Sequence, residues 1–286
     1  MDVTNTQRAN VLIEALPYIQ KYNNKIVVIK YGGNAMVNDE LREAVMGDIV
    51  LLSLIGIRVV LVHGGGPDIT DMMSRLGKKS EFVDGLRVTD KETADIVLMV
   101  LAGKVSKNLV SLIQQKGGSA IGLCGVDGGM IKAKRIDERL GFVGEIDSIN
   151  TAPILDILEK GYVPVISTVA CDGEGNICNI NADTAAAMIA GELNAESLIS
   201  MTDTGGILED PDDETSVLSK INTKKVPLLI ENGCISGGMI PKAQCCVEAV
   251  ERGVNRVFII DGRIAHSILI ETLTDEGIGT MFITGD

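Results

Sequence analysis

The chain has 286 residues, is 45% hydrophobic and carries a formal net charge of -13 at pH 7. That length and apolar content suffice for one large core or two modest ones. The acidic balance excludes a binder of duplex nucleic acid, which needs a Lys and Arg surplus to displace counterions, and works against an anionic membrane surface.

An anionic ligand would therefore have to meet a local positive field built from lysines, helix N-termini and backbone amides. No stretch reaches the ~18 uninterrupted apolar residues of a spanning helix, and the N-terminus lacks the apolar core of a secretory signal, so a cytoplasmic protein is expected. Six cysteines without a C-x-x-C pair, and only two histidines, predict reduced thiols with neither a metal nor a disulfide framework.

In chain order, Val11, Leu12, Ala15, Leu16 and Ile19 form an apolar helical face that Pro17 should kink. It fits an extra helix on its own domain and a subunit-bridging arm equally well. A strand over Lys25 to Lys30 then ends V-V-I-K-Y-G-G-N-A-M, placing Lys30, Gly32 and Gly33 at its carboxyl end, where ligands bind in open α/β sheets. After a helix over Asp39 to Ile55, the strand Ile57 to Val62 ends V-L-V-H-G-G-G-P. Gly64, Gly65 and Gly66 thus precede a helix that Pro67 can start, and their amides can approach an anion closely. One glycine at a strand end is usually just a turn. Two such loops, one with a lysine, point to an anion site. His63 reads as a strand-end residue rather than a general base, and no G-x-S-x-G exists.

Next comes a helix over Asp90 to Lys116, whose Ile96, Val97, Val100, Leu101, Val105, Leu109 and Leu112 form one buried stripe. Small antiparallel pieces are expected around Glu81 to Val88, Gly125 to Lys134 and Cys171 to Cys178. A strand over Val163 to Val169 leads to Asn179, Asn181 and Asp183, where a helix over Ala182 to Leu193 begins. One Asx residue caps that helix; three within five leave at least one to face a ligand. Strands over Ser197 to Met201 and Arg256 to Ile260 flank S-G-G-M-I-P-K, which sets Gly237, Gly238 and Lys242 at the start of a helix over Met239 to Arg252. A lysine in a first turn opposes the helix dipole and hints at an anionic partner. Strands alternating with helices predict an α/β fold with a mostly parallel open sheet sandwiched between helices. The P-loop, the dinucleotide fingerprint and the protein-kinase motifs are all missing, so any phosphate site is of another kind.

Taken together, K-Y-G-G-N-A-M, H-G-G-G-P, G-L-R-V-T-D, N-I-N-A-D and G-G-M-I-P-K resemble, in this order, the amino-acid kinase family, and within it the enzymes that phosphorylate N-acetyl-L-glutamate. The resemblance runs from about Lys25 to the C-terminus. It implies phosphoryl transfer from ATP with Mg2+, without a prosthetic group or protein-held metal. Lys30 and Lys242 match the lysines that neutralise the transferring phosphoryl group, and Asp183 the aspartate that holds them. Gly65, Gly66, Arg87 and Asn179 match the acetylglutamate contacts; Gly32, Gly33, Gly64, Thr202, Asp203, Gly205 and Gly206 fall to the nucleotide.

The same resemblance divides the chain into an N-terminal kinked helix (1–23), an acetylglutamate-binding and dimerisation lobe (24–195) and an ATP-binding lobe with a C-terminal regulatory region (196–286). Leu12 to Ile19 with Pro17 looks like the arm that links arginine-inhibited members into hexamers, as trimers of dimers. Arginine would then be an inhibitor, with Tyr22, His266, Glu271, Glu276 and Gly279 as candidate contacts. Two alternatives stay open: another acceptor, such as glutamate, aspartate, carbamate or a nucleoside monophosphate, and a non-catalytic arginine or nucleotide sensor.

Overall fold

The N-terminal segment folds as two helices, α1 (Asn5–Glu14) and α2 (Leu16–Tyr22), separated at Ala15. Thr4 and Gln7 cap α1 reciprocally, and Pro17 in the first turn of α2 accounts for the break, since proline cannot donate to the preceding turn. The computed structural model describes residues 4–33, 36 and 38–284. Asn34 and Ala35 of the first glycine motif, and the first three residues of segment 1–23, lie outside the described residues.

The chain continues through β1 (Ile26–Tyr31), α3 (Asp39–Leu54), β2 (Arg58–His63), α4 (Gly66–Arg75) and the hairpin of β3 (Phe82–Val83) and β4 (Leu86–Arg87). The long helix α5 (Lys91–Gln115) leads to β5 (Ala120–Cys124), β6 (Ile131–Arg135) and β7 (Val143–Ile149). Then come α6 (Ala152–Glu159), β8 (Val163–Ser167), β9 (Val169–Cys171), β10 (Ile177–Ile180) and α7 (Ala182–Glu192). The remainder comprises β11 (Ser197–Thr202), β12 (Lys220–Asn222), α8 (Val226–Glu231), α9 (Met239–Glu251), β13 (Arg256–Asp261), α10 (Ser267–Leu273) and β14 (Thr280–Ile283).

An eight-stranded sheet in the order β12-β14-β13-β11-β1-β2-β8-β5 forms the centre. From β13 to β5 all neighbours are parallel, whereas β14 runs antiparallel to β13 and carries β12 with it. Strands covered on both faces need apolar residues at successive positions, and β1, β2, β8, β11 and β13 are buried along nearly their whole length. Alternate residues feed opposite layers: Val28, Val60 and Leu198 pack on the side of α7 and α9, Val27, Ile29 and Leu61 on the side of α3 and α5. The fully buried run Ala185, Ala186, Ala187 and Ala190 lets α7 approach β1 closely. Strands β6, β7, β9 and β10 close into a small barrel beside this sheet, and the expected turn between Cys171 and Cys178 joins β9 to β10.

Two expectations shift in detail. Thr168 interrupts the strand over Val163 to Val169, so that β9 can leave β8 for the barrel. Helix α5 is wound as a π-helix over Met99–Val105. The widened turn sets the helical phase back by about one residue, so Val105, Leu109 and Ile113 carry the stripe onward while Leu112 is only half-buried. By length and composition α5 could cross a bilayer. It instead lays its apolar side against α3, α4, β5 and β8.

Candidate active site

The carboxyl ends of β1, β2 and β11 converge, and each supplies one part of the site. Lys30, the penultimate residue of β1, stands opposite Ser200 of β11 and Val62 of β2. Above them, Asn181 caps α7 by accepting from the Asp183 and Thr184 amides at 2.9 and 3.1 Å. Since Asn181 does the capping, the Asp183 carboxylate is released to turn toward the sheet. Its Oδ1 lies 3.0 Å from Lys30 Nζ and its Oδ2 2.8 Å from Lys242 Nζ. Ser200 Oγ donates to Oδ1 at 3.3 Å.

Burial would push the Asp183 carboxyl up, but the two ammonium groups outweigh it and hold the group down at about 2. Burial also pulls Lys30 below the ordinary lysine range, with Asp183 opposing, while in the more open Lys242 the attraction of Asp183 prevails and raises it. Lys242 sits in the first turn of α9, where the helix dipole disfavours a cation; Asp183 is the anion that offsets this. The result is two positive charges held apart by one carboxylate.

On the other flank of Asp183 lies a cavity of about 200 Å³ lined by Gly64, Gly65, Gly66, Arg87, Asn179 and Asp183, among others. Arg87 is buried; Nη1 donates to Ser80 Oγ at 2.6 Å, and Nη2 to Gly66 O at 3.0 Å and Thr70 Oγ1 at 2.8 Å. Its guanidinium lies 4.7 Å from the centre of the Phe82 ring, so the β3–β4 hairpin holds the plane of the fork. Asn179 donates to Thr89 Oγ1 at 3.3 Å, and Thr89 in turn to the Arg87 carbonyl at 2.7 Å, which links two polar residues that line the cavity. At Gly65 a Cβ would come within 2.5 Å of Leu101 Cδ2, so only glycine lets α5 pack so close to the loop.

The nucleotide candidates are also brought to this edge. Gly33 has φ 70° and a Cβ there would stand 2.5 Å from Asp203 Oδ1, so the β1 loop and the residues after β11 touch. Thr202 ends β11, Gly32 lies over the Lys30 ammonium, and Gly205 and Gly206 follow against Val217 and Thr280. The arginine candidates gather elsewhere, where α2 packs on α10. Tyr22 is buried and accepts from Ser197 Oγ at 3.5 Å; Glu271 accepts from the Ile278 amide at 3.0 Å. His266 Nδ1 is 2.6 Å from Asp48 Oδ1, whose carboxyl burial pushes up to about 6. Gly279 is buried against β13, and Glu276 is exposed.

Sequence reasoning missed Ser200, the supports Ser80 and Thr70, and the ring of Phe82. Ser200 had a usable signal: in a parallel sheet, a polar residue amid S-L-I-S-M-T must face something polar on the neighbouring strand, and Lys30 is at that level.

The amino acid kinase family model matches residues 25–261. The chain belongs to the amino acid kinase family. Its sheet and flanking helices are the fold of that family, as the five motifs imply. Among relatives of this amino acid kinase, an acetylglutamate kinase of Brachyspira hyodysenteriae is 56% identical over 283 residues, 98% of either chain. An acetylglutamate kinase of Clostridium beijerinckii is 54% identical over 282 residues, 98% of this chain and 99% of that one. The structure of N-acetylglutamate synthase from Neisseria gonorrhoeae, complexed with coenzyme A and N-acetyl-glutamate, matches with a TM-score of 0.85 at 26% identity. That match covers 97% of this chain and 64% of the synthase.

Proposed function

We propose that this kinase transfers the terminal phosphoryl group of magnesium-bound ATP to the side-chain carboxylate of N-acetyl-L-glutamate, giving N-acetylglutamyl 5-phosphate and ADP in cytoplasmic arginine biosynthesis. The observation that carries this reading is the position of Asp183, which bridges Lys30 and Lys242 on one flank and borders the Arg87 and Asn179 cavity on the other. The full-length relatives named acetylglutamate kinase support the choice of acceptor. An ionised carboxylate is already a nucleophile, so the step needs no general base. Positioning and charge neutralisation supply the catalysis.

In this reading the amides of Gly65 and Gly66, with Arg87 and Asn179, hold the acid, and segment 24–195 is its lobe. Gly32, Gly33, Gly64, Thr202, Asp203, Gly205 and Gly206 border the nucleotide, and segment 196–286 is the ATP lobe. Lys30 and Lys242 meet the charge that spreads over the transferring group. The deciding experiment is ADP release with N-acetylglutamate, glutamate, aspartate, carbamate and nucleoside monophosphates as acceptors, combined with Arg87→Ala. Turnover should be confined to N-acetylglutamate, and loss of the charged fork should raise its KM by about tenfold or more without moving the KM for ATP. Preference for another acceptor refutes the assignment.

We further propose a hexameric assembly and inhibition by arginine. Support comes from α1, which leaves Val11, Leu12 and Ile13 61%, 73% and 67% exposed, an apolar face that water disfavours. Support also comes from the packing of α2 on α10 beside His266, Glu271, Glu276 and Gly279. Deleting residues 1–23 should reduce the particle from six subunits to two by light scattering and weaken inhibition by arginine. An unchanged mass counts against the arm.

A further inference from the structure

The glycine loop that borders the acid cavity starts directly after His63, and that residue has no part in the phosphoryl chemistry above. His63 is fully buried in mid-sheet, level with Tyr31 of β1 and Ser167 of β8. Its Nδ1 lies 2.8 Å from the carbonyl oxygen of Gly64, and its Nε2 is buried without a hydrogen-bond partner among the described residues. A carbonyl oxygen only accepts, so Nδ1 carries the proton. A second proton on Nε2 would meet no acceptor among the described residues, and burial holds the pKa of the ring down at about 4, so the ring stays neutral.

Within a trans peptide the C=O and the following N–H point in opposite directions. Drawing the Gly64 carbonyl into the sheet therefore turns the Gly65 N–H outward, to the side of the cavity. That amide has no backbone acceptor among the described residues. Flanked by glycines on both sides, the peptide has little steric resistance to rotating over. In the rotated state it would present a carbonyl oxygen to an anion.

We propose that His63 is a positioning residue that locks the Gly64–Gly65 peptide so that the Gly65 N–H faces the carboxylic acid substrate. The proposal rests on reading the cavity as the acid site. Asn in place of His63 keeps an amide nitrogen where Nδ1 stands, Gln moves it one bond further out, and Leu removes it. In the full-length enzyme, His63→Leu and His63→Gln should raise the KM for N-acetylglutamate by about tenfold or more while the KM for ATP and the melting temperature move little, and His63→Asn should bring the KM back to within about threefold of wild type. The pH profile of His63→Asn between pH 6 and 9 should keep the wild-type shape.

Equal KM values in the Asn and Leu variants, or a parallel change in both KM values and in stability, overturn the proposal. Should only His63→Asn be soluble, a near-wild-type KM supports it and a tenfold rise refutes it. A wild-type enzyme active on N-acetylglutamate whose KM all the variants share sinks the role of His63 alone. A wild-type enzyme inactive on that acid sinks the acid-site reading as well.

Discussion

Replacing Asp183 with Asn is expected to lower kcat by about three orders of magnitude, equivalent to about 4 kcal/mol of transition-state stabilisation. The amide keeps the shape of the carboxylate and removes its charge. In the native site that charge lies 3.0 Å from Lys30 and 2.8 Å from Lys242, and it is the one carboxylate among the described residues that bridges these two mutually repelling cations. Without it, Lys30 is a buried cation with no counter-ion and either loses its proton or withdraws. On the proposed mechanism, both outcomes empty the position where the phosphoryl charge develops. The capping of α7 by Asn181 and the sheet beneath are untouched, so folding by circular dichroism should be retained. Turnover within tenfold of wild type would refute the clamp.

The second large effect concerns the lysines themselves. Lys30→Ala and Lys242→Ala should each reduce kcat about 100-fold or more, the scale of losing one charge-stabilising donor. Because both are held by Asp183 and face the same group, the double variant should fall well short of the product of the single losses. Full additivity in single-turnover kinetics would mean that the lysines act independently. Wild-type-like turnover in either single variant would remove that lysine from the mechanism.

The sequence made the buried parallel strands and their terminal glycines legible, because a strand covered on both faces reads as an unbroken apolar run and because glycine beside lysine at its end has few other uses. Elements without such a signature escaped. Strand β5 lies at the sheet edge with Gly122 at its middle, so its A-I-G-L-C shows neither alternation nor a full apolar run. Helix α10 follows His266 in a left-handed conformation and has no side-chain cap to announce it. Strand β14 is four residues long and pairs antiparallel at the end of a parallel array. At the site, Asp183, Lys30 and Lys242 could be singled out by type and position. Their distances could not, because residue 242 is 59 positions from residue 183 and only the packing of α9 on α7 brings them together. Arg87 shows the same limit: its turn context suggests a solvent-facing side chain, yet Phe82, Ser80 and Thr70 enclose it.

The pairing of β1 with β11 has a mechanical consequence. It makes one continuous sheet of the strands that carry Lys30 and those that carry Thr202, so the two ends of the molecule cannot swing about a flexible joint. They can approach only by twisting the shared sheet, and in a twist the displacement grows with distance from the axis. The rung where Lys30 meets Ser200 lies near the middle of the strand order. The lysine pair bridged by Asp183 thus lies where such a twist would displace it least.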